Sequence, residues 1–223
     1  MGKEYNCIVC GGSDFNKAYQ GRLGRNGNPP LCTQCGSVER HRIVYGIYEN
    51  LKPITQSRSV LQFAPDCSVN KNNFKSYTGS VYDGQNPLDI KNTKLSSGSY
   101  DIVVSNHVFE HIDDDVAALK ECIRLVGEEG FVHICVPLPA YFTCTVDWGY
   151  ADKTKSYHYR NYGADMGSNF CKQVNGLKCL AVMGTDKVTG LSDIIFFFSK
   201  SQNMLIELAN NMRETDFMCV FIS

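Results

Sequence analysis

The chain lacks a long hydrophobic run. No window of its 223 residues reaches eighteen apolar positions, which argues against a membrane-spanning helix. The opening Met1-Gly-Lys-Glu-Tyr-Asn6 also lacks the apolar core of a secretory leader, so the expected location is cytoplasmic and no membrane partner is expected. Strong charge of either sign is missing too: the formal net charge is −1. That small value hides an asymmetry, because residues 1–58 hold eight Lys/Arg against four Asp/Glu, while residues 59–223 hold fourteen against nineteen. An excess of four positive charges is a weak electrostatic footprint, so nucleic acid is the less favoured partner and a small molecule the favoured one.

The chain does contain enough apolar sequence, 43%, to fill the core of one ordinary domain with a small appendage. It also contains eleven cysteines. Four form two C-x2-C pairs and seven are scattered through apparent strands and helices, which fits reduced thiols and one metal site better than a disulfide framework. Cys7, Cys10, Cys32 and Cys35 can converge tetrahedrally on one zinc ion. The glycine- and proline-bearing loop between the pairs has almost no core of its own, so the metal would staple it. Four thiolates leave no open position, which makes the expected zinc structural. Residues 1–52 thus read as a zinc ribbon with a linking helix, and residues 53–223 as the main domain. In the linking helix Ile43, Val44, Ile47 and Leu51 recur at helical spacing, with Ser37 as the expected cap. Arg40, His41 and Arg42 in its first turns oppose the helix dipole. Either they face a cleft, or they form a solvated face with Glu39 as ion-pair partner.

The main domain is organised around residues 59–111. Val60, Leu61 and Phe63 form an apolar run broken by Ala64-Pro65-Asp66, and Ile102, Val103 and Val104 repeat the design before Asn106-His107. Continuous β-branched runs indicate strands covered on both faces, as in a parallel sheet, whose ligands bind outside the carboxyl ends of the strands. These residues, with Leu88-Asp-Ile90, His107-Val-Phe-Glu-His111 and Gly130-Phe-Val-His-Ile-Cys-Val-Pro137, resemble class I S-adenosylmethionine (SAM) dependent methyltransferases over roughly residues 55–199. The Cys-Gly-Ser-x-Glu-Arg-His-Arg string at 35–42 and the His158, Arg160, Tyr162, Gly163, Asp165 pattern are similar to a subgroup with an N-terminal four-cysteine zinc ribbon. The first-strand motif departs from the family, with Gln62 and Ala64-Pro65 where an acid and glycines are usual, and Ser80 where an acid commonly holds the ribose.

The resemblance implies an α/β fold: a Rossmann-like methyltransferase sheet, mostly parallel with its last strand antiparallel, preceded by the small zinc ribbon. It implies SAM as cofactor, held by Gln62, Phe63, Ala64, Pro65, Ser80, Asp83, Asp89, Ile90, Asn106 and His107. Asp89 would accept from the adenine amine, and Asp83 is the substitute for the missing ribose acid. A lid at 140–165, rich in polar aromatics and without periodicity, would cover the acceptor. Arg40, His41, Arg42, Tyr141, Tyr162 and Asp165 would bind the acceptor there. His158, Arg160 and His107 would be catalytic, with an imidazole accepting a proton and Arg160 fixing an anionic or carbonyl group.

Three alternatives stay open: a divalent-metal site at His107, Glu110, His111 and His158; methylation of RNA held by the basic ribbon; and a non-catalytic binding module. Further expectations are a helix over 67–74, a strand over 75–81, a helix opening at Asp113-Asp-Asp115, a core role for His133, and helices at 164–174 and 201–213. The C-terminal extension, 200–223, ends in an apolar tail at 217–222 that must be buried against the domain or a partner to stay soluble.

Overall fold

The computed structural model describes residues 5–137, 139–212 and 215–222. Strands β1 (Phe15–Asn16) and β2 (Leu31–Cys32) form a short antiparallel pair in the ribbon. Helices α1 (Glu39–Asn50) and α2 (Lys52–Thr55) lead into β3 (Ser59–Phe63), β4 (Ser76–Ser80) and β5 (Ile102–Asn106). Then follow α3 (Asp115–Val126), β6 (Phe131–Cys135), a hairpin of β7 (Val146–Asp152) and β8 (His158–Asn161), and α4 (Met166–Gln173). Strands β9 (Lys178–Thr185) and β10 (Ser192–Ser199), helix α5 (Gln202–Asn210) and strand β11 (Met218–Ile222) complete the described chain. Among the described residues no helix is long and apolar enough to cross a membrane.

The central sheet has seven strands in the order β11-β9-β10-β6-β5-β3-β4. Strands β4, β3, β5 and β6 pair in parallel, β10 runs antiparallel to β6 and β9, and β11 runs antiparallel to β9. Alternate residues of the buried strands feed two cores. On one face Val60, Ile102, Val104, Phe131 and Phe197 meet α1 and α5; on the other Leu61, Val103, Val132 and Phe198 meet α3 and α4. The helix expected to link the ribbon is therefore built into the sheet's own core through Ile43, Val44, Ile47 and Tyr48.

Several local expectations change. Residues 67–74 form only a 3-10 turn at Lys71–Asn73. The Asp66 carboxylate takes the Ser68 N–H (2.9 Å) and Asn70 Oδ1 takes the Asn72 N–H (3.1 Å), side-chain bonds that compete with a helix. The face such a helix would cover already holds α1, whose Tyr48 ring lies 5.6 Å from that of Phe74. Helix α1 is capped by Val38 and not Ser37: the Val38 N–H donates to His41 Nδ1 (3.2 Å), while Ser37 Oγ lies 3.1 Å from Cys7 Sγ. Asp114 accepts from the Ala117 N–H (2.9 Å) and starts α3 as its sequence suggests.

The segment at 140–165 is not irregular, because β7 and β8 pair across a register shift between Asp147 and Asp152, and the Trp148 indole N–H donates to the His158 carbonyl (2.9 Å). Within the chain the C-terminal apolar tail is half-buried: β11 pairs with β9 and leaves Met218, Val220 and Phe221 exposed. The last strand is therefore an added antiparallel edge beyond the expected sheet.

Candidate functional site

The four ribbon cysteines converge. Their sulfur atoms all lie within 4.8 Å of one another, with Cys7–Cys35 at 3.7 Å and Cys10–Cys32 at 3.6 Å. Sulfurs around a tetrahedral zinc with bonds of about 2.3 Å would sit about 3.8 Å apart, so the donor set fits that ion. The ribbon is fastened to the main domain by Arg42, which donates in a bidentate pair to Asp186 (Nε to Oδ1 2.8 Å, Nη2 to Oδ2 2.8 Å) and through Nη1 to the Pro30 and Ser37 carbonyls (2.9 and 3.0 Å). Asn26 and Asn28 both donate to the Val188 carbonyl in the turn after β9. Arg42, expected at the acceptor, is a buried clasp with its guanidinium committed to protein oxygens.

At the carboxyl ends of β3, β4 and β5 lies a cleft of about 500 Å³ lined by Phe63, Ala64, Ser80, Asp89 and Ile90. Leu88, Val108 and Ile112 make the rest of its apolar wall, and Tyr82, Lys91, His111, Asp113 and Tyr159 bring polar atoms to it. Ala64 has φ +48, in the left-handed region that favours glycine, so the backbone keeps the sharp turn despite the missing glycine. Ser80 Oγ accepts from the Leu88 N–H (3.1 Å), and Asp89 Oδ1 accepts from the Lys91 N–H (2.9 Å). Asp83 is exposed and does not line the cleft.

Behind this wall Gln62, Pro65 and Asn106 act as supports. Asp66 accepts from Ser68, from Asn106 Nδ2 (3.2 Å) and from Gln62 Nε2 (3.5 Å), while Gln62 Oε1 accepts from the Tyr77 hydroxyl (2.8 Å). Pro65 packs so close to Gly79 that a Cβ there would lie 2.8 Å from Pro65 Cγ.

A polar cluster adjoins the cleft. His41 Nε2 lies 3.9 Å from Asp66 Oδ2, and burial, reinforced by the Arg40 charge, pushes the His41 pKa down to about 4. His107, at φ +53, is tied to β6 by its N–H to the Cys135 carbonyl (2.8 Å) and lies 3.4 Å from Glu110 Oε1. His111 and His158 meet edge to face with ring centroids 4.7 Å apart. Burial holds the His158 pKa below its ordinary value, so its imidazole is neutral near pH 7. His133, inside β6, is a core residue: its Nδ1 lies 3.1 Å from the Tyr48 hydroxyl and burial pushes its pKa down to about 3.

The remaining expected site residues lie elsewhere. Arg160 is 4% exposed and donates to Asp147 Oδ2 (2.6 Å) and to the Ile112 and Asp113 carbonyls (2.5 and 2.8 Å), so it binds the hairpin to the segment after β5. All its nitrogens are engaged, which leaves no fork for an acceptor molecule. Tyr162 is buried with its hydroxyl donating to Asp115, and Asp165 accepts from Thr145 and Asn169. Tyr141 is exposed beside Leu23 and Gly24, in a different depression. Sequence reasoning missed Tyr82, Lys91, Val108, Ile112, Asp113 and Tyr159 as wall residues. Val108, inside the His107-Val-Phe-Glu-His111 string, and Tyr159, between His158 and Arg160, carried a signal.

Residues 33–134 match the family model described as a methyltransferase domain, a span from beside Cys35 to β6. Residues 33–134 are thus similar to a methyltransferase domain, a match that indicates a SAM-dependent methyltransferase. Solved structures of similar fold include a SAM-dependent methyltransferase of Thermotoga maritima, described as a possible histamine N-methyltransferase, at 13% identity over 72% of this chain and 91% of that one, TM-score 0.47. Another is the 1,6-didemethyltoxoflavin-N1-methyltransferase of Burkholderia thailandensis with bound 1,6-didemethyltoxoflavin and S-adenosylhomocysteine, at 12% identity over 73% and 78% of the two chains, TM-score 0.48. Similarity this distant carries nothing about the acceptor. No curated protein matches the chain.

Proposed function

We propose that the chain methylates a small molecule at oxygen or nitrogen, binding SAM in the cleft at the ends of β3, β4 and β5 and a structural zinc at Cys7, Cys10, Cys32 and Cys35. The observation that carries the reading is the 500 Å³ cleft itself, with Phe63, Leu88, Ile90, Val108 and Ile112 as apolar walls and Asp89 at its rim. Such walls suit an adenine ring, and Asp89 keeps one carboxylate oxygen free of the Lys91 N–H for the exocyclic amine. The turn at Ala64, braced by Asp66, Gln62 and Asn106, holds the backbone close to the cofactor without the glycines. SAM supplies a methyl group on a positively charged sulfur. The protein's part is to orient donor and acceptor, exclude water and take up the acceptor's proton.

On the acceptor side stand His111 and Tyr159 at the cleft wall, with His158 and His107 behind them. The His158 imidazole, kept neutral by burial, suits deprotonation of a hydroxyl or amine. Arg160 works indirectly, by holding β8 and its His158 against the cleft. Calorimetry with S-adenosylhomocysteine tests the cofactor site, and Asp89→Ala should bind about ten- to a hundredfold more weakly, the range for a lost hydrogen bond to a charged group. Absence of binding to the wild type at millimolar ligand would remove the reading. Mass spectrometry of metabolite extracts incubated with labelled SAM would identify the acceptor.

A further inference from the structure

We propose that Glu110, His111 and His158 form a second metal site, for a zinc-like divalent ion, at the acceptor end of the cleft. One ligand atom from each lies within 4.8 Å of the other two. Glu110 and His111 come from the 3-10 turn Phe109–His111 after β5, and His158 from β8, so two distant segments are folded onto one point. Arg160 holds them there through its bonds to the Ile112 and Asp113 carbonyls.

The second observation is Glu110 itself. It is 1% exposed and neither carboxylate oxygen has a hydrogen-bond partner. A carboxylate taken out of water without donors is strongly disfavoured, and buried polar groups are rarely left so. His107 Nδ1, 3.4 Å from Oε1, contributes at most one weak contact and leaves Oε2 bare. A cation held jointly with the two imidazoles satisfies both oxygens.

The donor types decide the role. One carboxylate and two imidazoles are the three-ligand set of catalytic zinc, with the fourth position left for water or substrate, unlike the closed four-thiolate set of the ribbon. His111 also lines the cleft, so the open position faces the acceptor. This inference rests on the methyltransferase reading and narrows its acceptor to a hydroxyl. An acceptor oxygen bound to the ion loses its O–H proton to solvent at neutral pH. The O–CH3 bond then forms as the S–CH3 bond breaks, and the electron pair stays on the sulfur of S-adenosylhomocysteine. His158 thereby acts as a ligand, and the ion lowers the hydroxyl pKa in place of a protein base.

The test is zinc content by mass spectrometry after equilibrium dialysis against buffered zinc, with S-adenosylhomocysteine calorimetry and thermal melts on the same samples. The wild type should hold two equivalents per chain, and Glu110→Gln and His111→Ala one each. His111 is exposed, so without metal His111→Ala should melt like the metal-free wild type, whereas in zinc only the wild type should gain stability. One equivalent in the wild type, or two in both variants, would overturn the metal site. One equivalent with intact S-adenosylhomocysteine binding would leave the methyltransferase reading standing, whereas two equivalents with no such binding would overturn that reading and keep the ion.

Discussion

Replacing Arg42 by alanine should destabilise the whole protein and spare the cofactor cleft. Both partners of the Arg42–Asp186 pair are nearly sealed from water, with side chains 2% and 3% exposed. Alanine removes four hydrogen bonds at once: two to Asp186 and one each to the Pro30 and Ser37 carbonyls. Asp186 would keep only the Thr189 N–H and hydroxyl, at 3.0 and 2.7 Å, against a buried negative charge. Breaking a buried pair from one side typically costs about 3–5 kcal/mol. For a chain of this size each kcal/mol lowers the melting temperature by roughly 2–4 °C, so the expected drop is roughly 6–20 °C. Arg42→Lys keeps the charge but not the fork and should fall between the two. The double change Arg42→Met with Asp186→Leu should recover much of the loss, because it leaves no unpaired buried charge. Scanning calorimetry with S-adenosylhomocysteine titration separates this clasp from an acceptor-binding role. An Arg42→Ala protein that melts within 2 °C of the wild type would refute the reasoning.

Two other outcomes are expected. The His133 pKa is depressed by burial to about 3, so the unfolded chain binds a proton that the folded chain does not between there and the ordinary value of about 6.5. Stability from this group is complete above pH 6.5 and falls by about 1.4 kcal/mol per unit as pH drops through that window, so denaturant titrations of wild type and His133→Phe should diverge between pH 6 and 4. Parallel curves would show that His133 charges without cost. If the proposed zinc is structural, each of Cys7→Ser, Cys10→Ser, Cys32→Ser and Cys35→Ser should lose one zinc equivalent and expose the ribbon to proteolysis, since the loop has little core of its own; protection equal to the wild type would contradict a structural zinc.

The sequence by itself determined the elements whose signal is local. The apolar runs at Val60–Phe63, Ile102–Val104 and Phe131–Val136, the amphipathic spacing of α1 and α3, and the C-x2-C pairs all follow from what one short segment must bury or bind. The Ala64-Pro65-Asp66 turn was visible for the same reason. Tertiary structure decided everything that depends on a partner far along the chain. Arg42 reads as a cleft residue until Asp186, 144 positions away, supplies its carboxylate. Arg160 reads as an acceptor clamp until the Ile112 and Asp113 carbonyls use up its donors. The helix expected at 67–74 gives way because α1 already covers that face of the sheet, a competition for space that no local propensity records. The sequence offered Glu110, His111 and His158, with His107, as one alternative among several; strand pairing and Arg160 bring β8 to the 3-10 turn and leave His107 out of the cluster. Local sequence fixes what a segment can do, and the choice among those options falls to distant atoms that desolvate its side chains and satisfy or exhaust their hydrogen bonds.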